Sequence, residues 1–104
     1  MSIKHNTGKL KNNMKYLLIK NSCVSSATIM FGIKVGSKNE VDKHRGISHF
    51  IEHLFFKGTK HRLSSKNISS PLYEHGANFN ASTNYEITKY YVTIDSDYII
   101  DAID

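Results

Sequence analysis

At 104 residues the chain is at most one domain, able to bury roughly two-thirds of its unfolded surface. Its composition, 39% hydrophobic and 22% charged, is that of a soluble globular protein and excludes a disordered tail or a membrane span. The formal charge of +5 is unevenly spread, with Lys4, Lys9, Lys11, Lys15 and Lys20 ahead of the first acid, Glu40, and Asp95, Asp97, Asp101 and Asp104 crowding the other end.

Arginine occurs only at Arg45 and Arg62, and no basic cluster is interleaved with aromatics, so the charge reads as a solvated surface. Neither nucleic acid nor a membrane is an expected partner. Cys23 is the lone cysteine, which excludes an internal disulfide framework and a cysteine-rich zinc site. Residues 1–11 lack the apolar run of a secretory leader. The expected setting is cytoplasmic, with a lysine-rich organelle address as the alternative.

In chain order, residues 1–13 read as a basic arm and 14–104 as part of a single domain. Residues 14–20 (MKYLLIK) predict a short strand, followed by turn material at Asn21 and Ser22. Residues 27–35 predict a second strand with one buried face, because Ile29, Phe31, Ile33 and Val35 alternate with Thr28, Met30, Gly32 and Lys34. A polar loop follows over 36–45.

From Gly46 the period changes to that of a helix. Ile47, Phe50, Ile51, Leu54 and Phe55 fall on one arc at 100° per residue, with His49, Glu52 and His53 opposite and Gly58 as the terminator. A second helix capped by Ser64 or Ser65 runs toward His75 and Gly76. Pro71 should kink it or force a restart with Ser70 as N-cap, since proline removes a main-chain donor and clashes with the preceding turn.

Residues 78–82 and 86–95 predict two antiparallel strands joined at Thr83, Asn84 and Tyr85, and Ser96 should cap a final helix with an apolar stripe at Ile99, Ile100, Ala102 and Ile103. The order strand, strand, helix, helix, strand, strand, helix implies an α+β fold, an antiparallel sheet with helices packed on one face.

The chemistry is concentrated on the first helix. Histidines at i and i+4 stand one turn apart, so both imidazoles of His49 and His53 can reach one cation. Glu52 lies beside that cation without binding it, placed to take a proton from a metal-activated water and pass it to a leaving amine. This is the logic of zinc-dependent peptide hydrolysis, lacking one part: catalytic zinc normally takes three protein ligands.

Three stretches together carry a resemblance. His49-Phe-Ile-Glu-His53 is an inverted His-x-x-Glu-His zinc motif; VGSKNE (35–40) precedes it and GANFNASTNYEITKYY (76–91) follows it. In this order they resemble the pitrilysin/insulinase family of zinc metallopeptidases, which includes the mitochondrial processing peptidases. The resemblance covers residues 14–104 and implies Zn2+ on His49 and His53 with Glu52 as general base. It further implies that Asn80 and Ala81 lie on an edge strand that receives a peptide or unfolded substrate, with Phe56 near the pocket beside the scissile bond.

The family's third ligand is a glutamate on a later helix, so the chain reads as the N-terminal portion of a domain, truncated at its C-terminus and dependent on a second domain or subunit to complete the site. The alternative is an inactive truncated relative that serves as a binding subunit. Ala77 stands in place of a family glycine, Tyr73 in place of a glutamate, and Ser82 is small where some members carry an aromatic. Glu86 aligns with a supporting glutamate and is not expected to be a ligand, and His44, His61, Glu74 and His75 read as surface or capping residues.

Overall fold

The computed structural model describes residues 4–104. Strands β1 (His5–Lys9) and β2 (Lys15–Ile19) form an antiparallel hairpin in which His5 pairs with Ile19 and Lys9 with Lys15. Its turn closes through Leu10 N–H to the Met14 carbonyl at 2.9 Å, with Asn13 in the left-handed region at φ 66°. Asparagine tolerates that conformation because its short amide bonds locally. From His5 onward, then, the lysine-rich leading segment is a strand. It lacks the apolar alternation that announces one and is held by the pairing preference of β2.

Three further strands form the main sheet. β3 (Ser26–Ile33), β4 (Asn78–Thr83) and β5 (Thr88–Asp95) are antiparallel in the order β3-β5-β4. The register places Ile29 beside Val92 and Phe79, and Phe31 beside Tyr90 and Ala81, on a single face. Thr28 and Thr93 share a hydroxyl hydrogen bond of 2.8 Å on the other. β4 extends through Thr83, one residue beyond expectation. The following turn is an asparagine device, with Asn84 Oδ1 accepting from Glu86 N–H at 3.0 Å and Ile87 N–H at 2.8 Å.

Helices α1 (Ile47–Phe55), α2 (Ser65–Glu74) and α3 (Ile99–Ile103) lie on the apolar face, α1 over β4 and α3 over β3 and β5. Phe55 meets Tyr90 at 5.0 Å between ring centroids, Phe56 stacks on Phe79 at 5.8 Å, and Tyr73 of α2 meets Phe79 at 5.2 Å. The α+β architecture is the one the pattern predicts.

Two local details differ. α2 continues through Pro71 without a restart at Ser70, and the Ser64 hydroxyl caps its start by accepting from Asn67 N–H at 3.2 Å. Ser96 does not cap the final helix: α3 has no side-chain cap, and Asp95 caps the 3-10 turn that precedes it. Asp95 Oδ1 accepts from Asp97 N–H at 3.0 Å and leads through a 3-10 turn at Ser96–Tyr98.

The core is thin. Among the described residues only Ala77 and Ile94 are buried apolar side chains. Between sheet and helices lies an open groove of about 360 Å³ lined by Ile29, Phe31, Phe55, Phe56, Leu72 and Val92. Among the described residues no helix is long and apolar enough to cross a membrane.

Candidate metal centre

The N-terminus of α1 is tied before its chemistry begins. Gly46 takes φ 87°, a left-handed conformation that disfavours any side chain, and turns the chain into the helix. Glu40 then reaches over the first turn, accepting from Gly46 N–H at 2.7 Å and Ser48 N–H at 2.9 Å with its two carboxylate oxygens. These main-chain bonds hold its carboxyl below the usual carboxylate range, the Ser48 bond foremost. An acid at a helix N-terminus satisfies orphan donors and complements the helix dipole.

One turn further, His49 and His53 point at each other. Their Nε2 atoms are 2.9 Å apart and their ring centroids 4.6 Å apart, tilted by 30°. Two nitrogens bound tetrahedrally to one zinc at about 2.0 to 2.1 Å stand about 3.3 Å apart, so a slight opening of this pair would match that spacing. Both rings are exposed.

Glu52 occupies a different environment. It is 8% exposed, and its Oε2 accepts a hydrogen bond from the Thr83 hydroxyl at the end of β4. The Tyr90 phenol is pushed up by burial and secondarily by the Glu52 charge. Oε2 is the oxygen engaged; Oε1 makes no hydrogen bond to another described side chain.

Thr83 is held in place from outside the hairpin. The segment before α1 docks on the β4–β5 turn, with Ser37 N–H donating to the Asn84 carbonyl at 3.1 Å and Lys38 N–H to the Tyr85 carbonyl at 2.9 Å. Lys38 Nζ also pairs with Glu86 at 2.8 Å. Only glycine fits at Gly36, where a β-carbon would lie 2.7 Å from the Glu86 nitrogen and the Tyr85 carbonyl carbon. Glu86 is thereby committed to Lys38 on the surface, away from the histidines.

The remaining sequence candidates are dispersed. Asn80 and Ala81 lie on β4, an edge strand of the sheet. Asn84 N–H donates to the Ile87 carbonyl at 3.0 Å, which sets the ladder so that the main-chain groups of Phe79, Ala81 and Thr83 face the open edge. The Ala81 N–H there is taken by its neighbour's Asn80 Oδ1 at 2.8 Å. Phe56 is half-buried on Phe79 and lines the apolar groove together with Asn80. His75 stacks on Tyr98 at 3.8 Å, and Glu74 ends α2.

Among the described residues no group of three or more His, Cys, Asp or Glu side chains converges on one point. Sequence reasoning placed Thr83 in a turn and gave Glu40 no individual role. A buried glutamate on the chemical face of α1 calls for a donor, and an acid shortly before a helix start calls for free amides. Both signals were present, but neither names its partner.

Residues 15–104 match the model of a peptidase family described as Insulinase (Peptidase family M16). An uncharacterized zinc protease of Rickettsia felis is 43% identical over 86% of this chain. A probable mitochondrial-processing peptidase subunit beta of Schizosaccharomyces pombe is 40% identical over 85% of it. The chain spans about a fifth of the length of these curated relatives, 21% and 19% respectively. Among solved structures, pitrilysin superposes on the whole chain with a TM-score of 0.89 at 25% identity, the chain covering 11% of that molecule.

Proposed function

The chain belongs to the insulinase family, peptidase family M16, and from that membership we propose that it carries the zinc-binding helix and general base of a metalloendopeptidase. The observation that carries the reading is the convergence of the His49 and His53 Nε2 atoms, 2.9 Å apart, beside a buried and hydrogen-bonded Glu52. Residues 14–104 are, in this reading, part of a metallopeptidase domain working in a cytoplasmic setting.

His49 and His53 would hold Zn2+ through Nε2. Zinc bound there would supply Lewis-acid polarisation of a water and of the substrate carbonyl. Glu52 receives the proton from the attacking water on Oε1 while Thr83 holds Oε2, then delivers it to the leaving amine. The open edge of β4 takes an extended peptide as an added strand, Asn80 releasing the Ala81 N–H to it, and Phe56 borders the pocket beside the scissile bond.

Two histidines leave the ligand set short by one. In this reading the third ligand lies outside these residues, on a later helix or on a second domain or subunit that completes the site. The second reading is an inactive relative that binds but does not cleave. The deciding experiment measures zinc stoichiometry and peptide cleavage for the purified chain and its Glu52→Gln variant, alone and with a full-length relative. Cleavage that Glu52→Gln abolishes while zinc stays bound supports the enzyme; zinc binding without cleavage under every condition supports the binding subunit; equal cleavage by the variant refutes the role of Glu52.

A further inference from the structure

We propose that Glu40 is a positioning residue for Glu52: with the turn at Ser37–Asn39 it braces α1 against the β4–β5 turn and so fixes where the Glu52 carboxylate stands relative to the Thr83 hydroxyl. The role deepens the reading of Glu52 as general base and rests on it, while the brace itself is a matter of geometry alone.

The links close on themselves. From Thr83 the side-chain bond leads to Glu52 on α1, one turn and about 6 Å along the helix from Ser48. Ser48 and Gly46 donate their N–H groups to Glu40 at 2.9 and 2.7 Å. From Glu40 the chain runs back to Lys38 and Ser37, whose N–H groups donate to the Tyr85 and Asn84 carbonyls at 2.9 and 3.1 Å. Asn84 directly follows Thr83. The two members of the Glu52–Thr83 pair, 31 residues apart in the chain, are thus joined by a second bonded path.

That second path is stiff. Asn39 Oδ1 accepts from Gly36 N–H at 3.1 Å, while Asn39 N–H and Glu40 N–H donate to the Gly36 and Ser37 carbonyls at 3.0 and 3.2 Å, which winds residues 36–40 into one closed turn. Just upstream, the buried Thr88 of β5 donates its hydroxyl to the Val35 carbonyl at 2.9 Å. Gly36 packs against the β4–β5 turn with no room for a β-carbon. A turn bonded internally and seated at both ends carries position from the sheet to the helix.

Glu40 suits this task by its chemistry. Its carboxylate gives one oxygen to each of two amides, so the start of α1 is held at two points. An acid that only caps a helix needs a single bond, or mere proximity to the dipole. The buried polar side chains of α1 are Ser48 and Glu52, both 8% exposed, and they mark the strip of the helix that Glu40 and Thr83 hold. Glu40 touches no reacting atom. Its influence is through placement, where an error of about 1 Å at a catalytic group can cost on the order of 100-fold in rate.

NMR of the purified chain labelled with 13C-glutamate distinguishes a brace from a cap. Glutamate occurs only at positions 40, 52, 74 and 86, so each carboxyl carbon can be assigned by one Gln replacement. Glu40→Gln keeps one acceptor and loses the other. Ser37→Pro removes the donor to Asn84 at the first position of a helical turn, where proline is otherwise tolerated. At neutral pH both variants should shift the Glu52 carboxyl signal and average the Thr83 side-chain rotamer, read from the three-bond couplings of its methyl carbon, while the Glu74 signal stays in place. In denaturant unfolding, the joint effect of Glu40→Gln and Thr83→Val on the unfolding constant should fall short of the product of their separate effects by about threefold or more.

If Glu40→Gln perturbs the Gly46 and Ser48 amides but leaves Glu52 and Thr83 unmoved, or if its effect simply multiplies with that of Thr83→Val, the brace is overturned and Glu40 is a cap of α1 alone. A folded Ser37→Pro variant that moves neither signal overturns it as well. Peptide cleavage unchanged by Glu52→Gln would instead remove the general base that Glu40 is said to position, with the brace still decided by the NMR signals.

Discussion

The two faces of α1 are finished to different degrees. On its chemical face, Glu52 is bonded by Thr83 from β4, and the first turn is bonded by Glu40 from the preceding loop. On its apolar arc, Ile47, Phe50, Ile51, Leu54 and Phe55 remain between 43% and 61% exposed. Directional hydrogen bonds need few partners, and these residues supply them; hydrophobic burial needs area, and within this segment little covers the arc. The site's geometry is thus set by polar contacts more than by a packed core.

The sharpest way to probe that contrast is at the histidines. His49→Ala or His53→Ala should weaken zinc binding by about 100-fold or more, measured by competition with a chromophoric chelator, because each removes one of the two proposed ligands. Unchanged affinity in either variant would mean the ion sits elsewhere.

Next in size are the supports of the chemical face. Thr83→Val strips the donor from a buried carboxylate and should cost about 1 to 3 kcal/mol in denaturant unfolding. Combining it with Glu52→Gln should recover part of that loss if the hydrogen bond is the cause. Gly36→Ala drives a β-carbon into the main chain of Tyr85 and Glu86 and should cost about 1 to 3 kcal/mol, with loosening of the β4–β5 turn seen by amide exchange.

Glu40→Gln should have a smaller effect with a distinctive pH dependence. Because the folded carboxyl titrates below its ordinary range, its contribution is full above the unfolded value and disappears as pH falls through the folded one. Wild type and variant should therefore differ in Tm at neutral pH and converge in acid.

The smallest effect is expected on the apolar face. Phe50→Ser, at a side chain already 61% exposed, should change the stability of the chain by no more than about 0.5 kcal/mol. A large loss there would show that the arc is buried in solution and that the contrast is false.

Much of this was legible in the sequence for a reason particular to each element. α1 announces itself because period and motif are both local: five apolar residues on one arc and His49, Glu52 and His53 opposite. β3 alternates over its whole length. β1 was not legible, since a strand held by its partner needs no apolar pattern of its own. The uninterrupted α2 was not legible either, because the penalty for Pro71 is a preference that the Ser64 cap and contacts such as Tyr73 on Phe79 can override.

By itself, then, the sequence determined the order of elements and the identity of the proton-active residues on α1, because both depend on spacing along one segment. Only tertiary structure decided that Thr83 serves Glu52, that Glu40 holds the helix start, and that β3 and β4 are the sheet's two edges. These are pairings between residues far apart in the chain, and a side chain's need for a partner does not specify which distant residue the fold will bring to it.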